Sequence, residues 1–313
     1  MERRRLGETG VEVSRIILGC GNFGGVGSAP EFFGQGEGED EAFRIMDAAW
    51  ELDVTSFDTA DAYGGGASER AIGKWIAARG HRPQLTTKTY NPMAAGEDRG
   101  LTRARIVRQI ESSLDRLGLD NVDVYLAHEF DPETPLEETV GTFESLVQTG
   151  VIKSWGVSNF SADQLRSVLA LGRPAVVQNS YSLLERRDDE ELVSLCDVFG
   201  VGYTAFSPLA GGWLAGKYKR DEPIPPGSRM ALRPEPYEHL RTDRTFDGLD
   251  RFAAAAARRG VTPATLATAW VLARPLVTAV IVGPRNPAHV DAAVRALDVR
   301  LSKHEADELS ALF

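Results

Sequence analysis

Val122-Asp123-Val124-Tyr125-Leu126-Ala127-His128 reads as a buried strand with a polar end, and its neighbours in the chain decide the fold. An amphipathic stretch runs from Leu136 to Thr149, and a second apolar run, Ile152 to Val157, ends in Ser158-Asn159-Phe160. Apolar, Val- and Leu-rich strands alternating with helical stretches imply parallel strands covered by helices.

The alternation extends in both directions. Upstream, Arg15 to Leu18 precedes a helix from Glu39 to Leu52, Thr55 to Phe57 precedes Ser68 to Arg79, and Gln84 to Thr87 precedes Thr102 to Leu117. Downstream, Ile152 to Val157 precedes Ala162 to Leu171, and Ala175 to Gln178 precedes Glu190 to Phe199. Gly202 to Phe206 and Thr278 to Val282 complete the strands, the last followed by a helix from Pro287 to Leu297. Local signals agree. Ser161-Ala162-Asp163-Gln164 fits a capping box, Thr262-Pro263 sets Pro in a first turn, and Gly80, Gly118, Gly150, Gly172, Gly200 and Gly260 fall where helices are expected to stop.

Eight such units within 313 residues predict one α/β domain, a (β/α)8 TIM barrel. The surplus residues are expected as an N-terminal hairpin over 1–14, a long Pro/Gly-rich loop over 207–250 after the seventh strand, a helix from Leu249 to Arg259, and a C-terminal helix over 302–313.

Composition narrows the function classes. With 42% hydrophobic and 26% charged residues the chain reads as an ordinary soluble protein. Its net charge of −10 argues against nucleic acid as a partner, and no run approaches the ~20 apolar residues of a membrane span. The N-terminus lacks the apolar segment of a signal peptide. Cys20 and Cys196 form neither a disulfide framework nor a metal spacing, so a cytoplasmic protein without metal is expected. Gly19-Cys20-Gly21-Asn22-Phe23-Gly24 matches G-x-G-x-x-G, but the glycine-rich stretch after it forbids the helix that a dinucleotide fingerprint requires at once. It reads instead as a first β–α loop whose glycines let a ligand approach the backbone.

If the strands lie parallel, their C-terminal ends meet at one mouth, where polar residues read as chemistry. Asp58 ends the second strand, Tyr63 comes next in a glycine-rich loop, Lys88 ends the third strand and His128 the fourth. Taken singly, each has an ordinary structural reading: a cap, a turn aromatic, a solvated strand end, a core histidine. Together they suit carbonyl chemistry. A nearby ammonium is expected to draw a phenol's pKa down from about 10 toward neutrality. Asp58 would keep Lys88 charged, and His128 would hold a carbonyl oxygen toward Tyr63.

These residues, with Asp58-Thr59-Ala60-Asp61-Ala62-Tyr63-Gly64, Ser68-Glu69, Gly156-Val157-Ser158-Asn159-Phe160 and Ser207-Pro208-Leu209, resemble the aldo-keto reductases from Leu6 to Leu309. The resemblance implies a barrel that reduces aldehydes and ketones with NADP(H), with Asp58, Tyr63, Lys88 and His128 as the catalytic tetrad and Tyr63 as general acid. It implies that Ser158, Asn159 and Gln178 hold the carboxamide and that Phe206, where Tyr is usual, stacks on the nicotinamide. Ser207, Pro208, Leu209 and Gly211 would cover the diphosphate, with Arg229 reaching the same group, and Gly19, Cys20, Gly21 and Asp58 would be further cofactor contacts. Gly283-Pro284-Arg285 ahead of a helix is an anion site suited to a 2′-phosphate. There His289 replaces a Gln, while Ala292 and Ala293 remove adenine contacts that relatives make.

Phe23, Phe32, Phe33, Tyr90, Phe130 and Trp213, together with Tyr63 and His128, are the candidate substrate-pocket residues and point to an apolar or aromatic carbonyl. Two other readings stay open: an NADP(H)-binding regulatory barrel with little turnover, and a hydrolytic barrel using Asp58, Asp61 or Glu129, which would have no need of Lys88. The sequence is silent on oligomeric state.

Overall fold

A computed structural model describes residues 1–313. Arg3–Arg5 (β1) and Glu12–Ser14 (β2) pair antiparallel as a hairpin. Eight parallel strands then close into a barrel: β3 (Ile16–Gly19), β4 (Ser56–Asp58), β5 (Gln84–Thr89), β6 (Val122–Ala127), β7 (Ile152–Ser158), β8 (Val176–Ser180), β9 (Gly202–Phe206) and β10 (Ala279–Val282). Pairing of β10 with both β9 and β3 closes the ring, so no edge strand remains. This is the (β/α)8 TIM barrel the alternation implied.

The helices are α1 (Glu39–Glu51), α2 (Ala67–Arg79), α3 (Arg103–Leu117), α4 (Leu136–Gln148), α5 (Ala162–Leu169), α6 (Leu192–Val198), α7 (Arg229–Leu232), α8 (Asp243–Arg258), α9 (Pro263–Leu272), α10 (Pro287–Val294) and α11 (Lys303–Ser310). The capping box at Ser161 forms with both of its reciprocal bonds. Gly80, Gly118, Gly150, Gly200 and Gly260 take positive φ at or just past helix ends. Gly172 does not, and its reason is different: a Cβ there would lie 2.6 Å from Val140 Cγ1 and 3.0 Å from Trp155 Cζ2. Residues 207–250 are less loop-like than expected. They contain a 3-10 turn at Ala210–Ala215, α7, and the first two turns of α8, which begins at Asp243 rather than Leu249.

Strand alternation sorts the side chains. On β3, Ile16 and Leu18 face the helices while Ile17 faces the barrel axis; on β10, Val280 and Val282 face out while Ala279 and Ile281 face in. The interior cluster joins Ile17, Val124, Leu126, Val176, Ala279 and Ile281 to Leu6, Val11 and Val13 of the hairpin. The hairpin is thus a plug across the N-terminal end of the barrel. Gly7 fits there because its φ is +59° and a Cβ would meet the Ala175 carbonyl at 2.5 Å. With that end filled, the open end is the one where the strands finish.

Candidate active site

The same parity aims the polar strand ends inward. Asp58 lies two residues from Ser56, Lys88 four from Gln84, and His128 two from the inward Leu126. The register sets Asp58 beside Gly19 and Thr86, and Lys88 beside Leu126. Lys88 Nζ, with no exposed side-chain surface, bonds Asp58 Oδ1 at 2.6 Å, the Thr59 carbonyl at 2.8 Å and Tyr63 Oη at 3.3 Å. Gln178 Nε2 donates to the other Asp58 oxygen at 2.8 Å. The Tyr63 and His128 rings meet edge-on, with centroids 5.6 Å apart. The four residues named from sequence therefore converge around one phenol.

Gly64, Gly65 and Gly66 all have positive φ, which turns the chain sharply after Tyr63. A Cβ on Gly64 would lie 2.8 Å from the backbone of Gly24, so Gly24 serves loop-on-loop packing, while Gly27 of the same loop lines the mouth. Gly21 keeps a ligand-facing place: it lines the mouth, and a Cβ there would rest 3.4 Å from the Tyr63 ring.

Burial opposes the Lys88 charge, but Asp58 and Tyr63 outweigh it and hold the ammonium's pKa above its ordinary value. For Tyr63 burial wins. It raises the phenol, Lys88 lowers it only in part, and Asp58 raises it again. This corrects the expectation that Lys88 alone would draw Tyr63 toward neutrality. Burial and then the nearby Lys88 push His128 well below the ordinary imidazole range. At neutral pH the group is a neutral phenol, a charged ammonium and a neutral imidazole. That set can donate a proton and hydrogen-bond a developing oxyanion.

A cavity of about 750 Å³ opens over the strand ends, lined by Gly19, Gly21, Asp58, Tyr63, His128, Ser158, Asn159, Gln178, Phe206, Ser207, Arg229 and Gly283 among others. Asn22, Ser207, Arg229 and Gly283 also line a narrower adjoining cavity of about 190 Å³, with Pro208, Leu209, Gly211, Arg285, His289, Ala292 and Ala293. Asn159 and Ser207 take φ of +61° and +56°, backbone strain located at the site. Asn159 Nδ2 bonds the His128 carbonyl at 2.9 Å and Glu129 Oε1 at 3.1 Å.

The narrow cavity is electropositive although the chain is acidic. Lys217, Arg229 and Arg285 line it as cations, with the imidazole of His289 and one carboxylate, Glu37. Burial lowers the pKa of Lys217, Arg229 and His289, and mutual repulsion with neighbouring cations lowers each further. Cations held together against their repulsion form a site complementary to a polyanion. Arg285 is not free, however. Its Nε bonds Glu37 Oε1 at 2.5 Å and its Nη1 the Gly227 carbonyl at 2.6 Å, while Arg229 reaches Asn22 Oδ1 at 2.9 Å. These bonds tie the first β–α loop across the cavity to the loops after β9 and β10. Glu37 Oε2 is buried without a partner.

Other sequence-named residues lie elsewhere. Cys20 is fully buried with its thiol toward the Leu18 carbonyl, so it offers no side-chain contact to the mouth. Phe23 is buried in the main core, and Trp213 is buried against Tyr218 and Phe246. Phe130 packs edge-on against Phe160 with centroids 5.5 Å apart, Tyr90 leans on the core, Phe33 packs near Gly65, and Phe32 lies under the Arg233 guanidinium. None of these lines the large cavity. Its outer wall is mixed instead: Asn91, Glu129, Glu185, Arg233 and His239 alternate with Pro30, Pro92, Leu184, Pro236, Tyr237 and Leu240. Sequence reading missed Glu37, Asn91 and Lys217. Each sits in a loop without periodicity, and only tertiary closure brings it to the site.

Comparison with known proteins agrees with this geometry. The Aldo/keto reductase family matches residues 15–313, and the chain belongs to that family. It is 36% identical to "Uncharacterized oxidoreductase YrpG" of Bacillus subtilis (strain 168), over 100% of this chain and 96% of that protein. It is 33% identical to "Probable voltage-gated potassium channel subunit beta" of Oryza sativa subsp. japonica, again over 100% and 96%. The solved glycerol dehydrogenase of Gluconobacter oxydans superposes with a TM-score of 0.84 at 26% identity, covering 99% of this chain and 94% of that one. No helix is long and apolar enough to cross a membrane.

Proposed function

We propose that this aldo/keto reductase is a cytoplasmic enzyme that reduces the carbonyl of aldehydes or ketones, or oxidises the corresponding alcohols, with NADP(H) as cofactor. The observation that supports it most is the buried Lys88 ammonium, held between Asp58 and the Tyr63 phenol at the mouth of the barrel. Tyr63 gives its proton to the carbonyl oxygen as general acid. Lys88 stabilises the phenolate left behind, and Asp58 keeps Lys88 charged. His128 hydrogen-bonds the same oxygen and orients it toward Tyr63. When bound, NADPH supplies the hydride that the reduction requires.

The residues present fit that cofactor. The two adjoining cavities give an extended cleft, and the cluster of Lys217, Arg229, Arg285 and His289 suits its phosphates. Ser158, Asn159 and the free Oε1 of Gln178 would hold the carboxamide, and Phe206 would stack on the ring. Ser207, Pro208, Leu209 and Gly211 would cover the diphosphate. Arg285 and His289 would meet the 2′-phosphate, which favours NADPH, while Ala292 and Ala293 leave the adenine loosely held. The mixed outer wall, with Leu184, Tyr237 and Leu240 beside Glu185, Arg233 and His239, suits a carbonyl compound with both apolar and polar parts.

The test is NADPH consumption against a panel of aldehydes and ketones. Tyr63→Phe is expected to cut kcat/KM by about 10²–10⁴-fold, the usual contribution of a general acid, while NADPH still titrates the protein's fluorescence. Unchanged turnover in the variant would overturn the role of Tyr63. The second reading, a nucleotide-binding barrel with little turnover, draws on the relatives named as channel subunits. It requires tight NADPH binding with no carbonyl-dependent oxidation even in the unaltered protein.

A further inference from the structure

His128 is buried, and its backbone is held on both sides: its N–H donates to the Thr89 carbonyl at 3.0 Å, and its carbonyl accepts from Asn159 at 2.9 Å. The ring has one side-chain hydrogen-bond neighbour, Asn91, whose Nδ2 lies 3.3 Å from Nδ1. Asn91 lies just after β5 and is itself clamped. Arg105 of α3, only 2% exposed, donates from Nη2 to the Asn91 carbonyl at 2.6 Å and from Nη1 to Thr89 Oγ1 at 2.8 Å. A buried guanidinium thus fixes the backbone from which the Asn91 amide reaches the imidazole.

The partner of one imidazole nitrogen decides which nitrogen keeps the proton. Asn91 turns its Nδ2 toward Nδ1; with that N–H donated, Nδ1 keeps a bare lone pair and the proton of the neutral ring sits on Nε2. Nε2–H is then a donor for an oxygen beside Tyr63. The opposite tautomer would present a lone pair to that oxygen and repel it. We propose that Asn91, clamped by Arg105, is a positioning residue that holds His128 in the Nε2–H tautomer.

The consequence for turnover rests on the carbonyl-reductase reading, but the tautomer itself does not. The charged and titratable groups around the ring are Lys88 of β5, Asp58 of β4, Tyr63 of the loop after it, and Glu129 next to His128 in the chain. Asn91 is uncharged, so its effect is one of hydrogen-bond direction.

Long-range 15N–1H NMR of histidine-labelled protein reads the tautomer directly, with His128 assigned by the signal lost in His128→Asn. In the unaltered chain Nδ1 is expected to resonate as an unprotonated nitrogen and Nε2 as a protonated one. Asn91→Asp replaces the donor with an acceptor of the same shape. The protonated signal should move to Nδ1, and kcat/KM should fall on the order of 10²-fold, the loss seen when one oxyanion donor is removed. NADPH affinity should be unchanged, and Asn91→Ala should give a mixture of tautomers and an intermediate loss. A protonated Nδ1 in the unaltered protein overturns the proposal, and that spectrum does not depend on how any Asn91 variant folds. An unmoved tautomer in a folded Asn91→Asp, or an inverted tautomer with full turnover, overturns it as well. The expected spectrum with no turnover on any carbonyl would sink the reductase reading and leave the tautomer assignment standing.

Discussion

Replacing Lys88 with Met tests the centre of the site through stability rather than rate. The side chain is fully enclosed and makes three polar contacts, to Asp58, the Thr59 carbonyl and Tyr63. Met fills much of the same volume, so packing changes little and the polar loss dominates. Asp58, 4% exposed at its side chain, keeps only the Gln178 amide as a side-chain donor. Removing one partner of a buried ion pair costs about 3–5 kcal/mol, because the other charge stays buried and unmatched. The orphaned Thr59 carbonyl pushes the loss toward the upper end.

The diagnostic comparison is the double variant. Adding Asp58→Asn removes the stranded charge and leaves a neutral amide still accepting from Gln178, so the Lys88→Met/Asp58→Asn protein should be about 1–3 kcal/mol more stable than Lys88→Met alone. Urea unfolding followed by circular dichroism reads all four corners of the cycle. A double variant less stable than the single would refute the reasoning, since the ammonium would then not be neutralising Asp58. Neither variant should support carbonyl reduction.

Two further outcomes come from the electrostatics. Burial first, and Glu69 second, hold Asp61 up at about 7, and its Oδ2 has no partner. Against about 3.9 in an unfolded chain, a raised folded value means its contribution is complete below pH 4 and is lost as pH rises through 7. Asp61→Asn should therefore gain about 1–3 kcal/mol on the unaltered protein between pH 5 and pH 8. Glu129, also raised to about 7 by burial, acts in the same direction and leaves a residual slope. Urea midpoints that differ by a constant amount across that range would refute this. At the narrow cavity, Arg285→Ala should weaken NADPH about 10- to 100-fold and NADH much less, the worth of a lost charge-assisted bond. Glu37→Gln, which frees Arg285, should tighten NADPH. Equal losses for the two nucleotides in fluorescence titration would remove Arg285 from the 2′-phosphate.

Local pattern was enough for the barrel. Val122–Ala127 and Gly202–Phe206 are strands with the bounds that the apolar runs indicate, because an enclosed parallel strand is written almost wholly in Val, Leu, Ala and aromatic residues. The start of α8 was not legible. Asp243-Arg244-Thr245 is polar and Gly248 breaks the pattern, yet Phe246 and Leu249 are both buried once the helix docks. The four convergent side chains could be found because strand parity projects them to one end. The pocket aromatics could not. Whether Phe23 or Trp213 turns to the mouth or to the core depends on where a glycine-rich loop folds back, and no short-range signal encodes that. The direction of the Tyr63 shift has the same origin, since burial and Lys88 oppose each other and composition does not rank them.

The hairpin plug has a kinetic consequence. With Leu6, Val11 and Val13 filling the far end, the vessel has a single door, and whatever arrives at Tyr63 comes and goes past the same rim. If the nucleotide lies along the floor and the carbonyl above it, the two must load in sequence and unload in reverse. Anything seated beneath the Glu37–Arg285 strap can leave only after that bond opens.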